Sequence, residues 1–97
     1  MIVKEHRASD GKIVIAICDS KLIGKKFSEN GLQLDLCSSF YAGEEKSEEE
    51  LSRVTKKSCH LNVVGTDSVD FCAKEGLIAK ENVKKIKNIP YAQSIIE

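Results

Sequence analysis

The residues of this chain best placed to do chemistry are Asn62, Gly65 and Thr66, in the run His60-Leu61-Asn62-Val63-Val64-Gly65-Thr66-Asp67. An apolar strand, a single glycine and a helix start can present backbone N–H groups to a phosphate or carboxylate, because the first N–H groups of a helix lack partners inside it. Asn62 and Thr66 would add side-chain hydrogen bonds, and Gln93, in the closing run Ile89-Pro90-Tyr91-Ala92-Gln93, completes the set of candidate ligand-binding residues. The same geometry also serves ordinary turns, where glycine supplies only a conformation. No phosphate-loop lysine follows Gly65, and no Ser-His-Asp or Cys-His set has supportive local spacing, so no catalytic residue is assigned.

A second chemistry is contact with phosphates and unpaired bases. Lys25 and Lys26, with Lys21, form one basic cluster, and Lys84, Lys85 and Lys87, with Lys80, form another. Those lysines would neutralise phosphates while Tyr41 or Tyr91 stacks on a base, each stacked base being worth about 1–3 kcal/mol. With aromatics at 5%, a broad stacking platform is excluded. Fifteen basic residues balance fifteen acidic ones, so attraction to nucleic acid must be local. The acid is segregated too, in Glu44, Glu45, Glu48, Glu49 and Glu50. Solvated faces are the plain alternative for each patch.

Cys18, Cys37, Cys59 and Cys72 contain no C-x-x-C pair, the spacing that sets two thiolates on one metal. Cys59 and His60 are neighbours, yet adjacent strand residues point to opposite faces and do not converge on one ion. No metal ligand and no cofactor is expected. Thiols without a disulfide framework fit a reducing cytoplasm. No apolar run approaches the roughly 20 residues that span a bilayer, and charges at Lys4 and Glu5 come too early for a signal sequence. A cytoplasmic protein without membrane attachment is expected.

These residues need elements to position them. Met1 to Arg7 reads as a strand, Ala8-Ser9-Asp10-Gly11 as a hairpin turn, and Lys12 to Cys18 as a central strand apolar on both faces. Asp19 would cap a helical turn that exits at Gly24. Glu29-Asn30-Gly31 is a turn before the alternating strand Leu32 to Leu36. In the loop Cys37 to Gly43, one of the rings of Phe40 and Tyr41 would pack inward and the other face solvent. Ser47 and Glu50 form a capping box for a surface helix to about Lys57. His60 to Val64 is a fourth strand, and Thr66 or Asp67 caps a helix that buries Val69, Cys72 and Ala73 before stopping at Gly76. Val83 to Ile89 is a last strand or arm, which Pro90 keeps from continuing as a central strand. The 97 residues predict one small α+β domain, 1–97, with a mixed sheet of about four to five short strands and two to three helices.

Several short stretches in fixed order resemble one family. They are Val3-Lys4-Glu5-His6-Arg7, Asp19 to Phe27 with Leu22, Gly24 and Lys25-Lys26-Phe27, Ser39-Phe40-Tyr41-Ala42-Gly43, Asn62-Val63-Val64-Gly65, Glu75-Gly76-Leu77-Ile78 and Ile89-Pro90-Tyr91-Ala92-Gln93. Together they resemble the archaeal family grouped as domain of unknown function 424, over nearly the whole chain. The resemblance implies a small archaeal cytoplasmic α+β protein associated with RNA or translation. The motif in the family that the chain resembles more often reads Gly-Val-Pro-His-Ala-Gln where this chain has Asn88-Ile89-Pro90-Tyr91-Ala92-Gln93. That departure argues against a general base at position 91.

Three functions follow. The leading one is a non-catalytic RNA- or ribonucleoprotein-associated binding module. The first alternative is a ligand-binding protein or enzyme using the Gly65 turn as an anion site. The second is a protein-interaction or assembly factor, monomeric or homodimeric, that docks through the acidic helix or through a tail ending in Ile95 and Ile96, two apolar residues outside any evident element.

Overall fold

In a computed structural model that describes residues 1–54 and 59–96, the chain forms eight strands and two α-helices. β1 (Ile2–Arg7) and β2 (Ile13–Cys18) make the hairpin the Asp-Gly turn predicts, with Gly11 at φ +86°. β2 then pairs in parallel with β6 (Cys59–Val64), so everything between them is a crossover. That crossover holds a 3-10 turn (Ser20–Leu22), the hairpin β3 (Lys26–Glu29) and β4 (Leu32–Asp35), a second 3-10 turn (Ser39–Tyr41), the two-residue β5 (Glu44–Glu45) and helix α1 (Glu48–Val54). After β6 come α2 (Thr66–Lys74), a 3-10 turn (Lys80–Asn82), β7 (Lys84–Ile86) and β8 (Ile89–Ile96). The main sheet runs β5-β1-β2-β6-β8-β7, and β3-β4 forms a separate two-stranded sheet.

Six strands plus two exceed the expected four to five. The surplus comes from β3 and β5, which have four and two residues and too little alternation to read, and from β8, which follows the expected last strand where no strand is expected; that expected strand, Val83 to Ile89, holds β7. β8 corrects a second expectation, because Pro90 lies inside an eight-residue strand paired on both sides. Its missing N–H costs little, since the β6 ladder ends at the Val64–Tyr91 pair. One position further, β6 has turned at Gly65, whose N–H donates to the Pro90 carbonyl at 2.8 Å. Ile95 and Ile96 are likewise part of β8, opposite His60 and Cys59, and not a loose tail.

The sheet carries apolar side chains on both faces, as its near-continuous apolar centre demands. One face, with Val3, Ile15, Ile17, Leu61, Val63 and Ala92, is covered by Leu51 of α1 and by Val69, Phe71 and Cys72 of α2. Leu51 is fully buried, so α1 is anchored in the core as well as lying on the surface. Its capping box forms: the Glu50 N–H donates to Ser47 Oγ and the Ser47 N–H to Glu50 Oε1, each at 3.2 Å. The expected helix end near Lys57 lies outside the described residues. On the opposite face Cys18 and Val64 meet Leu22 and Leu36 in a second, smaller core, edged by Phe27, Leu34, Tyr41, Ile89 and Tyr91.

Candidate functional site

The Gly65 turn forms as read, with Gly65 at φ +107° and the first N–H groups of α2 beyond it. A carboxylate of the chain itself occupies it. Asp19 is 3% exposed, its Oδ1 accepts from the Ser68 N–H at 2.8 Å and Ser68 Oγ at 2.7 Å, and its Oδ2 accepts from the Asp67 N–H at 3.1 Å. A Cβ at Gly65 would lie 2.5 Å from Asp19 Oδ2, so only glycine lets the carboxylate in. Two expectations are corrected here. Asp19 makes no side-chain cap to its own turn, and α2 starts after Gly65 with its donors satisfied by Asp19, not by Thr66 or Asp67. The physical cause is the parallel β2–β6 pair, which ends both strands at one level. The Asp19 N–H bonds the Val64 carbonyl at 3.1 Å, placing its side chain under the helix start. An added phosphate at this turn would meet a buried negative charge, and Thr66 is exposed at its rim.

The other candidates are gathered elsewhere. Strand residues in register share a face, and register aligns Lys84 with Tyr91, Gln93 with Asn62, and Ile95 with His60. These lie on the face opposite α1 and α2, beyond the edge of the smaller core. Towards β1 the face is covered by the Ser39–Tyr41 turn: Phe40 stacks on His6 with centroids 4.6 Å apart, and His6 Nε2 lies 2.9 Å from the Phe40 carbonyl oxygen. Towards β8 it is open, with a shallow groove of about 310 Å³ bordered by His60, Asn62, Gln93 and Ile95. Next to it a notch of about 420 Å³ is bordered by Lys84, Tyr91 and Gln93 on one side and by Glu81 and Asn82 on the other.

The lysines flank this strip. Lys84 and Lys85 stand on β7, with Lys85 turned to the other face, and Lys87 sits in the β7–β8 turn. The β3–β4 hairpin carrying Lys25 and Lys26 packs beside β7, and the Lys87 backbone N–H donates to Glu29 at 3.4 Å. The two basic clusters, far apart in sequence, thus adjoin one edge of the sheet. None of these five lysines is ion-paired with a described residue. Asp35 stands opposite Lys26 in register. The glutamates of α1 are carried on the helix-covered side: Glu49 pairs with Arg53 and Glu48 with Lys74, both at 3.0 Å.

Tyr91 is half-buried at the edge of the open strip. Tyr41 packs edge-on to Phe40 at 5.0 Å, both rings half-buried, and burial together with the nearby Cys18 thiol pushes its hydroxyl above the ordinary tyrosine range. Of the two tyrosines, Tyr91 is the one paired in register with a lysine, Lys84. His60 joins the strip without being among the expected contacts, and Ile95, expected in a docking tail, joins it as a strand residue. Their signal was the alternation of β6 and β8, visible only once β8 is recognised as a strand. Cys59 and His60 point to opposite faces as expected. Among the described residues no three or more His, Cys, Asp or Glu side chains converge as a metal site would require, and no helix is long and apolar enough to cross a membrane.

The sequence matches over residues 6–96 the family model described as protein of unknown function (DUF424). No curated protein matches it. Among solved structures it is similar to that of an uncharacterized conserved protein from Methanopyrus kandleri, at 20% identity and a TM-score of 0.82, with 98% of this chain and 90% of that one covered. At that identity the likeness speaks for the fold.

Proposed function

We propose that this chain, which belongs to the DUF424 family of proteins of unknown function, is a non-catalytic module that binds single-stranded RNA along the open half of its sheet. The observation that carries the reading is the register: Lys84, Tyr91, Gln93, Asn62 and His60 fall on one uncovered face, flanked by lysines without ion-pair partners. Phosphates would follow the edge made by Lys25, Lys26, Lys84 and Lys87. A base would lie against Tyr91 while the amides of Asn62 and Gln93, each a donor and an acceptor, meet base edges. One aromatic gives one stacking position, so affinity rests on phosphate contacts. The anion-site alternative is weakened because Asp19 fills the Gly65 turn.

The test is binding of a labelled single-stranded oligonucleotide at several salt concentrations to the wild type and to Lys25→Glu/Lys84→Glu. Each lost phosphate contact removes roughly 0.7 from the slope of log K against log salt. The double variant should bind more weakly with a slope shallower by about 1.4. Equal affinity and equal slope in both proteins would refute the interface.

A further inference from the structure

We infer that the outer edge of β8, from Gln93 to Ile95, is a strand-addition surface whose occupant is the same edge of a second copy of this chain. β6 pairs with β8 from Tyr91 to Ile96, whereas β7 covers the other side only from Ile89 to Tyr91. The Pro90 carbonyl faces β6, where it accepts from Gly65. Backbone groups alternate sides along a strand, so Gln93 and Ile95 turn their N–H and C=O outward. Among the described residues no strand pairs with them there.

The sheet has a second open edge, and the contrast is informative. The Met1 carbonyl accepts from the Lys46 N–H on the β5 side, which by the same alternation turns Glu5 and Arg7 outward, and β5 covers only Ile2 and Val3. That edge reads Lys4-Glu5-His6-Arg7, with Arg7 paired to Glu5 at 3.0 Å, the charged composition that keeps a strand edge single. β8 has no charged residue from Ile89 to Ile96, and Ile95, 63% exposed, is one of two large exposed hydrophobics among the described residues.

The edge is its own complement. An antiparallel approach about a twofold axis through Ser94 sets Gln93 of each copy opposite Ile95 of the other, and both pairs then exchange N–H···O=C bonds. Within the paired segments, Gln93 to Ile95, no charge meets a charge, each Ile95 lies against Gln93 of the other copy, and the open faces stay on the same side of the joined sheet. A charged peptide would gain the backbone bonds and nothing from the side chains.

Sedimentation of the wild type, Ile95→Lys and Gln93→Lys tests this, with amide hydrogen exchange on the wild type across a concentration series. The expected result is a wild-type dimer, a twofold drop in mass in both variants with unchanged circular dichroism, and protection of the Gln93 and Ile95 amides that grows with concentration. Should a variant fail to fold, the exchange data on the wild type decide. A wild type that stays monomeric, a dimer that survives both substitutions, or a dimer whose Gln93 and Ile95 amides stay unprotected overturns the inference.

Discussion

Asp19 is the residue on which the local architecture turns. Its buried carboxylate accepts three hydrogen bonds at the start of α2 and lies against Gly65. Charge-assisted bonds of this kind are worth about 1.5–3 kcal/mol, so Asp19→Ala should lower the unfolding free energy in urea by roughly 2 kcal/mol. Gly65→Ala combines left-handed strain with overlap on the carboxylate and should cost about 3 kcal/mol. If Gly65→Ala unfolds at the wild-type urea concentration, the cradle has been misread. The contact joins residues 48 and 49 positions apart, which explains why Asp19 looked like a cap for its own turn: local spacing carries no trace of a remote partner.

The thiols divide at the same scale. Burial pushes Cys18 and Cys72 up to about 12 and also raises Cys59, whereas Cys37 is exposed. A thiol reagent at pH 8 should label Cys37 alone in the native protein and all four on unfolding. A thiol held protonated in the folded state binds its proton more tightly there than in the unfolded chain. Stability should therefore be indifferent to these groups below about pH 9 and fall as pH rises from 9 towards 12. Urea titrations at pH 8 and pH 10 check the sign.

Among the elements, two tight turns set the basic edge. Asn30-Gly31 joins β3 to β4 with φ of +50° and +83°, and Lys87-Asn88 joins β7 to β8 with +51° and +64°. Only the first announces itself, because Asn-Gly is the preferred pair for such a turn and Lys-Asn is not. That is why the expected arm from Val83 to Ile89 shows β7 without its partner, and Pro90 argues against the strand that follows it, β8. Lys87→Asn relieves an unfavourable left-handed lysine and should raise stability by about 0.5–1 kcal/mol while weakening oligonucleotide binding. A gain in stability with undiminished binding would remove Lys87 from the interface. The hairpin β1–β2, strand β6 and helix α2 were legible because each pairs an apolar pattern with a local stop or start signal. β5, with only two residues, has no pattern to read.

For the whole molecule, the arrangement of charge matters more than its sum. Fifteen positive and fifteen negative side chains cancel, but the fold carries α1 and its glutamates on one side of the sheet and leaves Asn62, Gln93 and Lys84 on the other. The sequence names both lysine clusters and the Asn62 and Gln93 candidates. It does not reveal that Asn62 and Gln93 are cross-strand neighbours, since that follows from the β6–β8 register. The measurement that tests the central claim most directly is a titration of the isotope-labelled protein with a short single-stranded RNA, followed amide by amide. Shifts should concentrate at His60, Asn62, Lys84, Tyr91 and Gln93 and leave α1 untouched. Shifts centred on α1 or on the Gly65 turn, or none at saturating RNA, would contradict the account.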